Sequence, residues 1–275
     1  MTSRILCHPD QNKSCGACCG MYNHVDHGQS QTTERLGRRT QAFYEEAQVD
    51  DEASLASFRK RWEDTAKDKL LTGLPSCPFL GFIDQEPGDA AGSRVGCLVH
   101  PLQNDGVDGR DCGVYDRFIC EDYLCAAHEV LRKEETQLVI DAIDDSYLYG
   151  LLITNPKFVR HLLELVARRN GAMPTAKILE QPAVVEAAGA CFELVRHWEY
   201  RGDDGIFGQV EVAGALDTTR RPLPAEQFGV DSADVDVLLV CMGTKCTNTN
   251  ELEEARGLVE ERVRQFATAI ERESP

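Results

Sequence analysis

Nine of the chain's 12 cysteines fall between Cys7 and Cys125, and the other 150 residues hold three. This distribution constrains the fold more than any other feature. A chain of 275 residues can bury a large apolar core and needs no covalent staples to fold. Clustered thiols in such a chain are more often metal ligands than disulfides when the compartment is reducing. The opening stretch, Met1 to Asp10, has no apolar run of signal-peptide length. No segment approaches the length of a membrane span. The expected setting is therefore the cytoplasm, with no membrane partner. The formal net charge of −17 repels phosphate backbones, so nucleic acid is not expected as a partner either. A protein partner remains open, a basic one being the natural match.

Hydrophobic patterning divides the chain into three parts. Residues 1–133 are expected to form a cysteine-cluster metal-binding domain. It has irregular stretches at 1–31 and 75–119, with two helices between them. The first runs from Thr32 or Thr33 to Ala47, with Leu36, Thr40, Phe43 and Ala47 at helical spacing. The second runs from Asp51 to Leu71 and ends at Gly73-Leu74-Pro75. An exposed turn is expected over 85–92. Residues 134–215 read as a helical region, continuous with a helical run from Cys120. Asn155-Pro156 and Pro182 open two of its helices, and 206–212 reads as a short strand. Residues 216–275 read as a small strand-turn-helix element. Its strand is the apolar run Val235–Val240, and its helix buries Leu252, Ala255, Val259, Val263, Phe266 and Ile270. The expected fold is mostly α, with a loop-rich cysteine-cluster domain and a small C-terminal α/β element.

The strongest local motif is Ser14-Cys15-Gly16-Ala17-Cys18-Cys19-Gly20. A C-x2-C turn brings two thiolates to one centre, and the glycines permit its tight backbone. Cys18 and Cys19 are adjacent, and neighbouring side chains diverge, so these two need not serve one metal atom. Cys77, Cys97, Cys112 and Cys120 follow singly, each beside Gly, Pro or a short apolar anchor, as in separate loops converging on one point. Cys125 follows Cys120 by five residues, about 140° round a helix, so the pair would not share a helical face. The ligand pool is Cys15, Cys18, Cys19, Cys77, Cys97, Cys112 and Cys120, with Cys7 and Cys125 in reserve. His8 and His100 are further candidates for a mixed site. His24 and His27, on either side of Asp26, read as a polar surface loop.

As an ordered set these motifs resemble the bacterial cysteine-cluster family, the zinc- or iron-chelating CxxCxxCC domain. The resemblance spans residues 7–125. It rests on Cys15-x-x-Cys18-Cys19, Cys77-Pro78-Phe79-Leu80, Gly96-Cys97-Leu98-Val99-His100-Pro101, Arg110-Asp111-Cys112 and Phe118-Ile119-Cys120. Asn12 stands where the family pattern has its first cysteine, with Cys7 as the substitute. Arg110-Asp111 replaces an Arg-Pro, and Asn104–Asp108 lengthens the preceding loop. The resemblance implies metal binding. Through a related branch, the flagellin lysine methylases, it also implies that an iron–sulfur enzyme is compatible with this scaffold.

Thiolates serve both zinc and iron–sulfur clusters. Structural zinc usually takes two close pairs, whereas here one pair is followed by singletons spread over more than 40 residues. An iron–sulfur cluster is thus the favoured cofactor and zinc the alternative. Three functions follow: a cluster protein with a structural or electron-transfer role, a methylase-like modifying enzyme, and a zinc-stabilised interaction module. The turn Cys241–Cys246 resembles the opening of thioredoxin-like 2Fe-2S ferredoxins, but no cysteine follows it. Cys191 reads as a small core hydrophobe.

Overall fold

The computed structural model describes residues 6–86, 89, 91–204, 206, 208–212, 214, 215 and 218–274. The chain divides into two compact units. The first comprises Met1–Ala126, Asp145–Gly150 and Gly214–Leu216; the second comprises Ala127–Asp144, Leu151–Ala213 and Asp217–Pro275. The fold is mostly helical, and the strands described form two separate antiparallel pairs.

In the first unit, α1 (Gln29–Glu46) lies against β1 (Leu80–Phe82). β1 pairs with β2 (Val95–Cys97), with Leu80 opposite Cys97 and Phe82 opposite Val95. Thr40 fastens helix to strand. Its hydroxyl donates to the Leu36 carbonyl and accepts the Phe82 N–H, both at 2.8 Å. Gly81 allows this approach, because a Cβ there would meet the Thr40 oxygen at 2.5 Å. α2 (Glu52–Trp62) is capped by Asp51 and brings Leu55 and Phe58 onto Phe43, Phe79, Leu98 and Val99. The rings of Phe58 and Phe79 stack at 5.7 Å, and Phe43 meets Phe58 edge-on at 5.4 Å. Cys77, Cys97 and Cys112 pack against this small aromatic core. α3 (Arg117–Asp122) is capped by Asp116.

α2 ends at Trp62, earlier than the expected Leu71. Asp64 faces the buried Arg39 (3.5 Å) and His24 (3.6 Å), and Thr65 with Asp68 caps a separate short turn, Ala66–Asp68. The helical stretch expected from Cys120 is likewise cut into α3, α4 (Ala127–Val130), α5 (Lys133–Ala142) and α6 (Ser146–Ile153). The breaks are made by side chains that satisfy free amides. Glu135 accepts the Arg132 N–H, and Asp145 accepts the Leu148 N–H.

The second unit is a helix pack. α7 (Pro156–Asn170) ends at Gly171, which adopts the left-handed conformation. α8 (Ala176–Leu179) is a single turn, and α9 (Pro182–Arg196) follows. β3 (Val210–Val212) and β4 (Thr218–Arg220) form one antiparallel ladder, and the residues between the two strands lie partly outside those described. The strand expected over 206–212 thus begins at Val210, with Phe207 outside the described residues. The turn over 85–92 also falls partly outside them. α10 (Pro224–Phe228), α11 (Asp236–Cys241) and α12 (Thr249–Glu273) complete the unit. α12 packs on α7 and α9, α5 packs on α9, and α11 packs on α7. All six residues expected on the inner face of α12 are buried.

The strand expected at Val235–Val240 is the helix α11. A six-residue run buried at every position but Val237 carries too little periodicity to separate helix from strand. Asp236 decides the outcome. Its carboxylate accepts the Ala233 N–H (3.0 Å) and pairs with Arg256 of α12 at 2.7 and 2.8 Å, fully out of water. The C-terminal strand-turn-helix is therefore helix-turn-helix over these residues.

Candidate metal centre

The N-terminal thiols are set by loops that rely on polar ties. Asp10 accepts the amides of Asn12 and Lys13 and pairs with the buried Lys13 ammonium at 2.6 Å. Ser14 is fully buried; its N–H donates to the Ser146 hydroxyl and its own hydroxyl donates to the Val95 carbonyl. The Cys15 N–H then donates to the Cys7 carbonyl at 2.9 Å. Ala17–Cys19 forms one 3-10 turn, closed by Gly20 at φ 88°. A side chain on Gly20 would strike Ser76 at 2.7 Å.

From this turn the Cys19 carbonyl accepts the Cys77 N–H at 2.9 Å. Arg39 donates to the Cys77 carbonyl, holding the start of the next loop. Cys77 leads into β1, and Cys97 closes β2 opposite Leu80. Three sulfurs each accept the amide two residues further along their own loop. Cys15 accepts the N–H of Ala17, Cys77 that of Phe79, and Cys97 that of Val99. Cys77 also accepts the N–H of Val114. Amides aimed at sulfur stabilise the thiolate form and suit a metal-bound thiolate.

The thiols influence one another. Burial raises Cys15 most, and Cys18, Cys7 and Cys125 raise it further. Cys18 is pushed up to about 11, by burial first and then by Cys125 and Cys7. Burial raises Cys19 strongly, followed by Cys77, Cys97, Cys18 and Cys120. Cys97 is pushed up to about 12, by burial and then by Cys77, with Cys120 adding to it. Arg39 and Arg59 oppose the rise at Cys77, and Arg110 opposes it at Cys97 and Cys120. Each thiol thus resists ionisation while its neighbours are thiolates, and a bound cation would relieve that repulsion.

Of the nine candidates, Cys18 and Cys120 are exposed and the other seven half-buried. Cys112 stands somewhat apart: beyond burial, the charges that act on it are Glu52, Asp111 and Arg59. His100 caps the turn Pro101–Gln103 through Nδ1, which accepts the Leu102 N–H. His8 lies near Arg94 and His100, and burial lowers it. His24 is buried against Asp64 and is not a surface residue. Cys191, Cys241 and Cys246 are buried in the second unit, with thiols raised by burial. Tyr149 and Ser146 had no metal-site signal in the sequence. Yet Tyr149 donates to the Leu6 carbonyl beside the thiols, and the carboxylate-serine pair Asp145-Ser146 marks the helix start that delivers them.

Among the described residues, no group of three or more His, Cys, Asp or Glu side chains stands where it could hold a metal ion. The donor chemistry nevertheless fits a thiolate-bound group: soft sulfur ligands, amides directed at them, and guanidinium groups beside them. Among the described residues no helix is long and apolar enough to cross a membrane. Compared with known protein families, curated proteins and solved structures, the chain matches none.

Proposed function

We propose that this protein binds metal through the thiolates of its first unit, and that the bound group is an iron–sulfur cluster with a structural or electron-transfer role. The observation that carries the reading is that backbone hydrogen bonds tie the thiol-bearing segments in pairs, Cys15 to Cys7 and Cys19 to Cys77. Thiols of separate segments also act electrostatically on one another, Cys125 on Cys7, Cys15 and Cys18, and Cys77, Cys97 and Cys120 on Cys19. Buried apolar thiols would have no need of amides aimed at sulfur or of three nearby arginines in a chain of net charge −17.

A cluster is favoured over a single zinc by sequence spacing, because one close pair, Cys15 and Cys18, is followed by singletons where zinc usually takes two close pairs. Four donors round one zinc must all lie about 2.3 Å from a point. A polynuclear cluster spreads its thiolates over two or more irons, so its ligands stand further apart. Such a group supplies one-electron chemistry, or a fixed cross-link between loops, when bound. The chain's own residues fix the sulfurs, direct N–H groups at them and offset their charge with Arg39, Arg59 and Arg110. A reducing compartment such as the cytoplasm keeps the thiols available. The cysteine-cluster family resemblance points the same way.

A zinc-stabilised interaction module is the second reading. Phe118, Ile119, Tyr123 and Leu124 are exposed round Cys120 and offer an apolar contact surface. Anaerobic purification followed by iron, zinc and acid-labile sulfide analysis separates the two. Matching iron and sulfide with broad visible absorption is expected. A colourless protein with stoichiometric zinc would select the second reading, and a metal-free protein would remove both.

A further inference from the structure

Of the five phenylalanines in the first unit, four are buried and Phe118 is 65 % exposed. It belongs to a stretch, residues 116–124, that is exposed at every position. α3 lies within this stretch and buries none of its residues. Yet the stretch is not polar. Phe118, Ile119, Tyr123 and Leu124 all stand in solvent, and Ile119 and Tyr123 are one helical turn apart, joined by the Tyr123 N–H donating to the Ile119 carbonyl. Fully burying an apolar side chain such as Phe or Leu is worth about 1.5–3 kcal/mol. Four together leave a large driving force for association unused.

Polar ties hold the segment in place without using these side chains. Asp116 accepts the Ile119 N–H at 2.9 Å, and the Arg117 N–H donates to Asp111 at 2.9 Å. Arg110 pairs with Asp108 at 2.7 Å and faces Glu121 at 3.7 Å. A helix this short does not persist in water on propensity alone. The ties therefore present a fixed, short helix with its apolar side chains outward.

The surrounding charge says what can cover it. Residues 105–124 carry six carboxylates, Asp105, Asp108, Asp111, Asp116, Glu121 and Asp122, against two cations, Arg110 and Arg117. Both cations are engaged within the segment, Arg117 facing Asp111 at 3.5 Å and lying over the Phe118 ring at 5.2 Å. A second copy of the chain would bring the same acidic rim and a further charge of −17, so self-pairing is opposed. An anionic lipid surface is opposed for the same reason. A partner with an apolar face flanked by cations meets both features.

We propose that residues 116–124 are a docking surface for a basic amphipathic helix of another protein, which lays apolar side chains on Phe118, Ile119, Tyr123 and Leu124 and sets lysines or arginines against the carboxylates around them. The docking surface goes beyond the metal-binding reading and does not depend on it.

Fluorescence anisotropy of labelled synthetic peptides titrated with the full chain, purified anaerobically, tests it. The probe is a leucine–lysine peptide patterned as an amphipathic helix. Its controls are a glutamine–lysine peptide of equal charge and a leucine–glutamate peptide of equal pattern. The wild type should bind the probe at least about tenfold more tightly than either control. Phe118→Ser combined with Leu124→Ser should remove that margin with circular dichroism unchanged, since both side chains are exposed. Equal affinity for the leucine–lysine and glutamine–lysine peptides would reduce the surface to a general attraction for cations and overturn the proposal. An undiminished margin in the double variant would overturn it too. Sedimentation velocity supplies the other arm: a wild-type dimer that the double variant turns into a monomer would assign the face to a second copy instead. The peptide comparison needs only unsubstituted protein and decides the matter if the variant fails to fold. Metal content of the wild type bears on the metal-binding reading alone.

Discussion

The two units reach order by different routes. In the second, α7, α9 and α12 bury Phe158, Phe192, Phe266 and many aliphatic side chains, and the cysteines there serve as small hydrophobes. In the first, a compact aromatic core under α1 and α2 supports long loops. Residues 6–28 hold their shape through Asp10, Ser14, Asn23 and Tyr149, each bonded to backbone or to another side chain. Loops with so little apolar area per residue cannot offset the entropy of ordering them by burial alone. On the proposed reading the same residue type has two roles in one chain: a thiol inside an amphipathic helix fills space, and a thiol in a Gly-rich turn serves as a ligand.

The largest test of that contrast is metal removal. Chelation of the anaerobic protein should open the first unit's loops and leave the second unit folded. Limited proteolysis should then cut first within 6–28 or 75–125, while a helical fragment beginning near Ala127 survives. Structural metal sites can contribute on the order of 10 kcal/mol to folding, so the change in protection should span orders of magnitude. Simultaneous digestion of both regions would break the comparison.

Next in size is the buried ion pair of the second unit. Asp236→Ala leaves Arg256, only 8 % exposed, without the carboxylate that grips it at two points. Breaking such a pair costs about 3–5 kcal/mol, readable as a lowered denaturant midpoint. Metal content should stay at the wild-type value. A stability loss below about 1 kcal/mol would mean that Glu253, which faces Arg256 at 2.7 Å, is partner enough.

A smaller effect is expected at Cys191. It is 1 % exposed, and its Sγ lies 3.4 Å from the Arg262 carbonyl. Serine can keep that hydrogen bond but places a hydroxyl in an apolar core, at about 1–2 kcal/mol. Metal content should be unchanged. Lost metal in Cys191→Ser would erase the distinction between the two kinds of cysteine.

What was legible in the sequence follows from where the information resides. α7 carries it locally, as a proline start, a glycine stop and an apolar stripe, and α12 carries it as an apolar stripe whose residues are all buried. α11 does not, because its conformation depends on Asp236 meeting an arginine in another helix. The same holds for Asp204, which pairs with the buried Arg221 seventeen residues on. The nine thiols were legible as a pool. The backbone ties between them were not, because a contact such as Cys19 to Cys77 joins residues far apart in the chain, and spacing alone cannot express it.

The smallest expected effect tests whether the first unit's polar interior contributes to its stability. His24 is 4 % exposed and faces Asp64 at 3.6 Å. Burial first, then Arg35 and Arg39, lower its pKa from the usual 6.5 to about 3, although Asp68 works in the opposite direction. The folded protein therefore binds fewer protons here than the unfolded chain below pH 6.5. Stability from this group is complete above that pH and is lost as pH falls toward 3. Burial raises Asp64 above its ordinary value despite Arg39 and Arg35, so its contribution has the opposite sign and blunts the trend at the acid end. The wild type should lose on the order of 1 kcal/mol between pH 7 and pH 5 through His24. His24→Gln should flatten that dependence, measured as the denaturant midpoint of the first unit at both pH values. An identical slope in the variant would show that the buried imidazole takes up its proton as readily as one in water, and the first unit's interior would then be no drier than its loops.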